Sequence, residues 1–280
     1  MTCLGVIELK ELNSDEFIIS YSSIPDSAYI KIIWKEFFES RSRGLTLERH
    51  FPWLTDKKNV FVSVNYKGAV IGGLVMRQLS KVDVKNNIIL NLSLIGLVCI
   101  KEEFRGLGLS TLLLENSIEK ARKMKIDHLV LWSSKHAVYE KLNFKILDFS
   151  QYGQLKNLPK VELLKDEMIV KGYPEELPMP VFATTGGSIH YRTSSVIYTC
   201  DHEKYNVISY EGELNDIWKI LCTLNSKKLY INVDVRDELY RYLNEKNCQA
   251  NLEKSNLQMS HCLNTDTQLE NIKLSVLDRI

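Results

Sequence analysis

"VCIKEEFRGLGLSTLLLENS", residues 98–117, changes character twice. An apolar run ending at Ile100 gives way to charge, then to Arg105-Gly-Leu-Gly-Leu-Ser, then to a leucine-rich helix pattern. A strand that turns through glycines into a helix leaves the first helical N–H groups without intrahelical partners. Together with the helix dipole, those groups form an anion site. Glycine reaches positive φ and lets the backbone approach phosphate oxygens closely. An arginine at the turn adds a charged, forked donor. Arg105, Gly106, Leu107, Gly108, Leu109 and Ser110, with the N–H groups through Thr111, therefore read as a pyrophosphate cradle. The dinucleotide fingerprint does not fit, because Thr111 stands where its third glycine belongs and no early βαβ unit with a downstream ribose acid frames it. A P-loop would need Gly-Lys-Ser/Thr, which is absent here. The competing reading is a plain turn that uses glycine.

Working outward, residues 87–100 form a long β-rich run, and 110–125 are amphipathic with Leu114, Ile118 and Ala121 on one stripe. Residues 128–132 read as a buried strand, 134–142 as a short helix and 144–149 as a strand. Upstream, 15–22 read as a strand and 27–39 as a helix with Ile30, Ile33, Trp34 and Phe37 at helical spacing. Residues 44–54 read as a short helix or loop with exposed aromatics. Residues 59–79 read as two strands about a Tyr-Lys-Gly turn.

Pro159, Pro174, Pro178 and Pro180 punctuate 151–180, with "PEELPMP" read as a linker and "DEMIVKGY" as a strand completing the first domain. Beyond 181, "SSVIYTC" and "YNVISYEG" pair as strands; helix 213–224, strand 228–234 and helix 236–246 follow, and "QANLEKSNLQMSHCL" returns to alternating strand. Tyr139-Glu-Lys-Leu laid over Tyr240-Arg-Tyr-Leu matches strand to strand and helix to helix, a weak internal repeat. "TTGGS", 184–188, reads as a tight turn, since no leucine-rich helix follows it.

The bulk numbers narrow the function classes. A chain of 280 residues allows two ordinary domains. A hydrophobic share of 45% argues against disorder, and a net charge of +1 draws the chain to neither nucleic acid nor membrane. No apolar run is long enough to span a membrane. The N-terminus lacks a secretory pattern, so a cytoplasmic location is expected. The cysteines have no C-x-x-C spacing and read as reduced thiols, with no metal site.

Arg105-x-x-Gly108-x-Ser110, a leucine-rich helix, a short strand and then Tyr139-Glu140-Lys141-Leu142-Asn143-Phe144 resemble the GNAT acetyltransferase superfamily. Its turn pattern is Arg/Gln-x-x-Gly-x-Gly/Ala, and its later pattern is a tyrosine followed by Glu/Lys-Lys-Leu-Gly-Phe. Both blocks stand in the family's order and separation, and the resemblance covers residues 15–150. It implies an α/β fold with a mixed α+β sheet flanked by helices. The expected organisation is a GNAT domain over 1–155, a linker or final strand over 156–180, and a smaller α/β domain over 181–280, which the repeat would make a degenerate GNAT copy.

The resemblance further implies acetyl-CoA as cosubstrate and an amine as acceptor. Leu97, Val98, Cys99 and Ile100 would offer backbone groups to the pantetheine arm, and the turn from Arg105 would hold the pyrophosphate. Tyr139 would be the general acid toward the leaving thiolate, and a backbone N–H near Val98 would meet the oxyanion. Ser110 and Asn143 depart mildly from the pattern: serine caps helices, and asparagine tolerates left-handed φ. Ser133, or its neighbour Ser134, stands where the family often has asparagine. The 87–100 strand holds no acid, so the general base stays open among Glu102, Glu103, His136, Glu48, His50 and a water chain. A small amine acceptor is preferred over a protein lysine or N-terminus. The rival readings are a non-catalytic acyl-CoA-binding regulator and transfer of a longer acyl group. Monomer and homodimer both remain open.

Overall fold

The computed structural model describes residues 16–280 apart from 41–44, 84, 160–166, 181–182, 184, 202, 225 and 247–250. Cys3 and Cys248 lie outside the described residues. The chain begins with strand β1 (Phe17–Ser22) and helix α1 (Ser27–Ile33), which widens into a π-helical turn over Trp34–Phe38. The Asp26 carboxylate caps α1 by accepting from the Ala28 N–H at 2.7 Å. Helix α2 (Leu47–His50) is one turn, capped by Thr46. Strands β2 (Val60–Tyr66) and β3 (Ala69–Asp83) are joined by Lys67 and Gly68 alone, both at positive φ. That two-residue geometry matches the strand twist of a tight hairpin.

Then come β4 (Ile88–Ile100), α3 (Leu109–Lys123), β5 (His128–Trp132), α4 (His136–Glu140), β6 (Lys145–Ile146), β7 (Ser150–Leu155) and β8 (Met168–Gly172). The second half comprises β9 (Thr185–Tyr191), β10 (Ser194–Cys200), β11 (Lys204–Glu211), α5 (Leu214–Thr223), β12 (Lys228–Asp234), α6 (Glu238–Glu245), β13 (Asn251–Lys254) and β14 (Gln258–Cys262).

Two mixed sheets result, ordered β1-β2-β3-β4-β5-β14-β6 and β13-β7-β12-β11-β10-β9-β8. The sheets trade strands. β7, inside the stretch read as the first domain, pairs with β12 and β13 of the second sheet. β14, from the second half, lies between β5 and β6 of the first. "DEMIVKGY" forms β8, which pairs with β9 at the edge of the second sheet instead of completing the first. The strand expected over 144–149 shrinks to two residues, whose ladder runs against β14.

Helix α3 covers one face of the first sheet, with Leu113, Leu114 and Ala121 fully buried. The other face is shared by α1 and α2 at one end and by Leu269, Ile272 and Leu274 at the other. The aromatics of 44–54, expected to be exposed, belong to this core: Phe51 is buried and Trp53 packs against the same cluster. Helices α5 and α6 cover one face of the second sheet. Both halves run antiparallel pair, helix, parallel strand: β3-β4-α3-β5 and β10-β11-α5-β12.

Candidate active site

The site begins with a failure of pairing. β4 and β5 are parallel, but they pair only over Leu92–Leu94 and His128–Val130. From Ile95 onward the β5 side of β4 has no strand partner among the described residues. On its other side β4 stays paired with β3, with Gly73 opposite Cys99 and Val75 opposite Gly96. Leu97 and Val98 therefore oppose Leu74 alone, which is a β-bulge. Leu97 takes φ +53°, a left-handed backbone uncommon for a branched side chain. The buried Tyr29 hydroxyl donates to the Leu97 carbonyl at 2.8 Å and holds that bend. The bulge also shifts side-chain alternation by one, so Leu97 and Cys99 face α1 while Val98 and Ile100 face α3. Burial pushes the Cys99 thiol up to about 12, so it stays protonated.

The glycine corner follows. A 3₁₀ turn over Glu102–Phe104 leads to Arg105, and Gly106 and Gly108 take φ +82° and +73°. Nothing stands within 4 Å of a Cβ built on either glycine, so backbone conformation alone calls for glycine there. Gly108 is the N-cap of α3 and contributes no side-chain cap, leaving the first-turn N–H groups for another acceptor. Arg105 is not free. Its Nε donates to the Ile100 carbonyl at 3.0 Å, and its guanidinium pairs with Glu36 of the π-helical turn. The arginine thus ties the corner both to the end of β4 and to the helix that walls the opposite side.

Tyr139 lies on the one-turn helix α4. Asn143 takes φ +61° and lets the chain double back, so that the N–H groups of Leu142 and Phe144 both donate to the Tyr139 carbonyl. The Tyr139 and Phe144 rings meet edge to face at 6.0 Å. Burial raises the Tyr139 phenol above its ordinary value, against an opposing hydrogen bond with Ser133.

A cavity of about 300 Å³ brings these parts together. Gly96, Leu97 and Val98 line it from the bulge, Tyr139 from α4, and Phe37, Phe38 and Phe51 from the opposite side. Ile280 closes another wall, and a Cβ built on Gly96 would stand 2.3 Å from its Cγ2. The structure thus gathers Leu97, Val98 and Tyr139 in one cavity. Cys99 and Ile100 face the two hydrophobic cores, and Arg105 through Thr111 form the adjoining corner.

The base candidates separate clearly. Glu48, Glu102 and Glu103 are exposed. The Nε2 of His136 lies 2.8 Å from the Asn256 carbonyl. His50 is buried, with Nδ1 2.8 Å from the Met179 carbonyl and Nε2 without a partner among the described residues. Its ring packs on Phe38 and Phe51, which line the cavity. Tyr29, Glu36 and Ile280 carried no site signal in the sequence, since each reaches the site through contacts distant along the chain.

In the second half, Gly212 and Glu213 alone join β11 to α5, where eight residues, 101–108, join β4 to α3. A Cβ on Gly212 would stand 2.4 Å from the Ser194 hydroxyl. This corner has no room for a phosphate-binding turn.

The Acetyltransferase (GNAT) family profile matches residues 27–144. Three solved structures share the fold. A conserved protein of unknown function from Enterococcus faecalis V583, named "Probable N-Acyltransferase", superposes with TM-score 0.67 at 10% identity over 88% of this chain and 73% of its own. A GCN5-related N-acetyltransferase from Anabaena variabilis gives 0.63 at 14% identity with the same coverage of each chain. Eis1 from Mycobacterium abscessus gives 0.59 at 11%, again over 88% and 73%. No curated protein matches the sequence. The splayed strand, the glycine corner and the profile together define an acetyltransferase enzyme. Residues 27–144 are its GNAT domain.

Proposed function

We propose that the protein transfers an acetyl group from acetyl-CoA to the primary amine of a small molecule, by direct attack through a tetrahedral intermediate. One observation carries this reading: the bulge at Leu97–Val98 and the Tyr139 side chain line the same cavity, beside a strand edge that has lost its partner. The pantetheine arm pairs with the open edge of β4 from Leu97 to Ile100. The pyrophosphate sits on the N–H groups from Gly106 to Thr111. A backbone N–H at the bulge meets the oxyanion, a fixed donor where charge develops. Tyr139 then protonates the departing thiolate. Its raised value suits that role, because the phenol remains an acid at neutral pH. Ser133 beside the phenol works in the opposite sense, favouring its ionised form.

The attacking amine must lose a proton, and His50 is the acceptor assigned here. With Nδ1–H committed to Met179, Nε2 is an open acceptor behind the aromatic wall. The aromatic and aliphatic lining favours an amine on an apolar body over a lysine on a polar peptide. Cytoplasmic placement and a two-domain organisation belong to the same reading. Thiol release from acetyl-CoA, followed with a panel of small amines and a lysine peptide, tests it. Release with an apolar amine supports the reading. No release with any amine would leave a coenzyme-binding protein instead.

A further inference from the structure

The second sheet has one face covered by α5 and α6, and its other face carries side chains foreign to a core. Tyr152 of β7, Asn206 of β11, and Tyr230 and Asn232 of β12 project there, with Tyr152 opposite Asn232 in the ladder. The Tyr152 and Tyr230 rings stack at 5.6 Å, and the Tyr152 hydroxyl donates to the Asn206 side chain at 2.8 Å. Residues 253–257 and 276–279 wall this face into a cavity of about 450 Å³. That volume falls within the range of small-molecule sites.

Its charge is one-sided. Lys204, Lys254 and Arg279 line it, against Glu253 as the one carboxylate in the lining. None of the three cations makes a salt bridge among the described residues, and Asp148, which acts on Arg279 from beyond salt-bridge distance, does not line the cavity. The Arg279 Nε is buried with no hydrogen-bond partner among them. Leaving a buried charged donor unpaired is costly, so such groups are ordinarily satisfied by protein, water or ligand. Ile208, Leu257 and Val276 supply an apolar floor.

We propose that this cavity is a binding site for a small organic dianion, carboxylates on an apolar or aromatic body, held by Arg279 and Lys204 with Asn206 and Asn232 as hydrogen-bonding partners. The site is separate from the acetyl-transfer cavity and does not depend on how that cavity works. The net positive lining sets the charge of the ligand. The amides orient it. The Tyr152 hydroxyl fixes the Asn206 side chain by donating to its oxygen, so that the Asn206 N–H groups are left for the ligand. The apolar floor excludes a bare inorganic ion as the best fit.

The probe is isophthalate, an aromatic dicarboxylate, titrated calorimetrically into the full chain beside its neutral diamide. Isophthalate binds saturably and the diamide about tenfold or more weaker, as expected when hydrogen bonds to charged groups are lost. Lys204→Met and Arg279→Met each weaken isophthalate by a similar factor, while thermal melting confirms folding. Lys204 is half-buried on a strand, so its variant keeps the test open should Arg279→Met not fold. Equal binding of acid and diamide, undiminished isophthalate binding by the folded variants, or no saturable isophthalate binding would each overturn the proposal.

Discussion

The Tyr29 hydroxyl on α1 donates to the Leu97 carbonyl on β4 at 2.8 Å, and both residues are buried. This bond joins the helix that walls the cavity to the one residue of β4 whose backbone is left-handed. Tyr29→Phe keeps the ring and deletes the donor, leaving a buried carbonyl unsatisfied. The expected cost is about 1–3 kcal/mol of stability. The bulge also loses its anchor, so acetyl-CoA binding weakens. Denaturant melts and coenzyme titration check both effects, and an unchanged coenzyme Kd would separate the anchor from the site.

Tyr139→Phe tests the acid. Turnover falls by about 10²–10⁴-fold if the phenol transfers its proton in the transition state, with the acetyl-CoA Kd nearly unchanged. The pH profile has a definite sign. A phenol donates only while protonated, and burial raises this one above the ordinary tyrosine value of 10.0. Wild-type turnover therefore keeps its acid up to that pH and loses it only on the alkaline side of it. The variant has no such alkaline limb. A wild-type decline through neutral pH that persists in the variant would assign it to another group.

Gly108→Val tests the corner. Its Cβ would meet open space, so the variant suffers through backbone φ alone. A β-branched residue held left-handed costs about 1–2 kcal/mol. The first turn of α3 shifts in response, and coenzyme binding weakens more than stability falls. Ser110→Ala, which leaves the backbone donors in place, is expected to bind coenzyme nearly as well as wild type. Calorimetry on the pair distinguishes a backbone cradle from a side-chain one.

The parts legible in the sequence are those encoded locally. Gly106, Gly108 and the leucine stripe after them announce a turn into a helix within a few residues. Asn143 stands at a left-handed position, as its side chain permits. What stayed hidden depends on distant partners. Alternation marks "LEKSNLQMSHC" as strand, but nothing in it says that β13 joins β7 while β14 crosses to β5. The bulge was equally silent, because Leu97 holds a glycine-like φ without being glycine, supported by Tyr29 from 68 positions away. Gly96 reads as an ordinary weak spot in a strand until Ile280 packs against it.

His50→Asn tests the proton acceptor. The Nδ1 of His50 lies 2.8 Å from the Met179 carbonyl, which accepts only if Nδ1 carries the proton. The tautomer is thereby set, and Nε2 is left as the acceptor. Asparagine places an N–H where Nδ1 stood and nothing where Nε2 stood, so the link to Met179 survives while the base is removed. Phe38 and Phe51 separate the ring from the bulk of the cavity, so proton transfer to Nε2 requires a bridging water between them. Turnover is expected to fall about 10²-fold or more, with acetyl-CoA Kd and melting temperature close to wild type. His50→Ala, which also strands the Met179 carbonyl, lowers stability as well. If turnover in His50→Asn matches wild type while His50→Ala melts lower, His50 is a strut for the 174–180 segment, and the amine loses its proton to solvent.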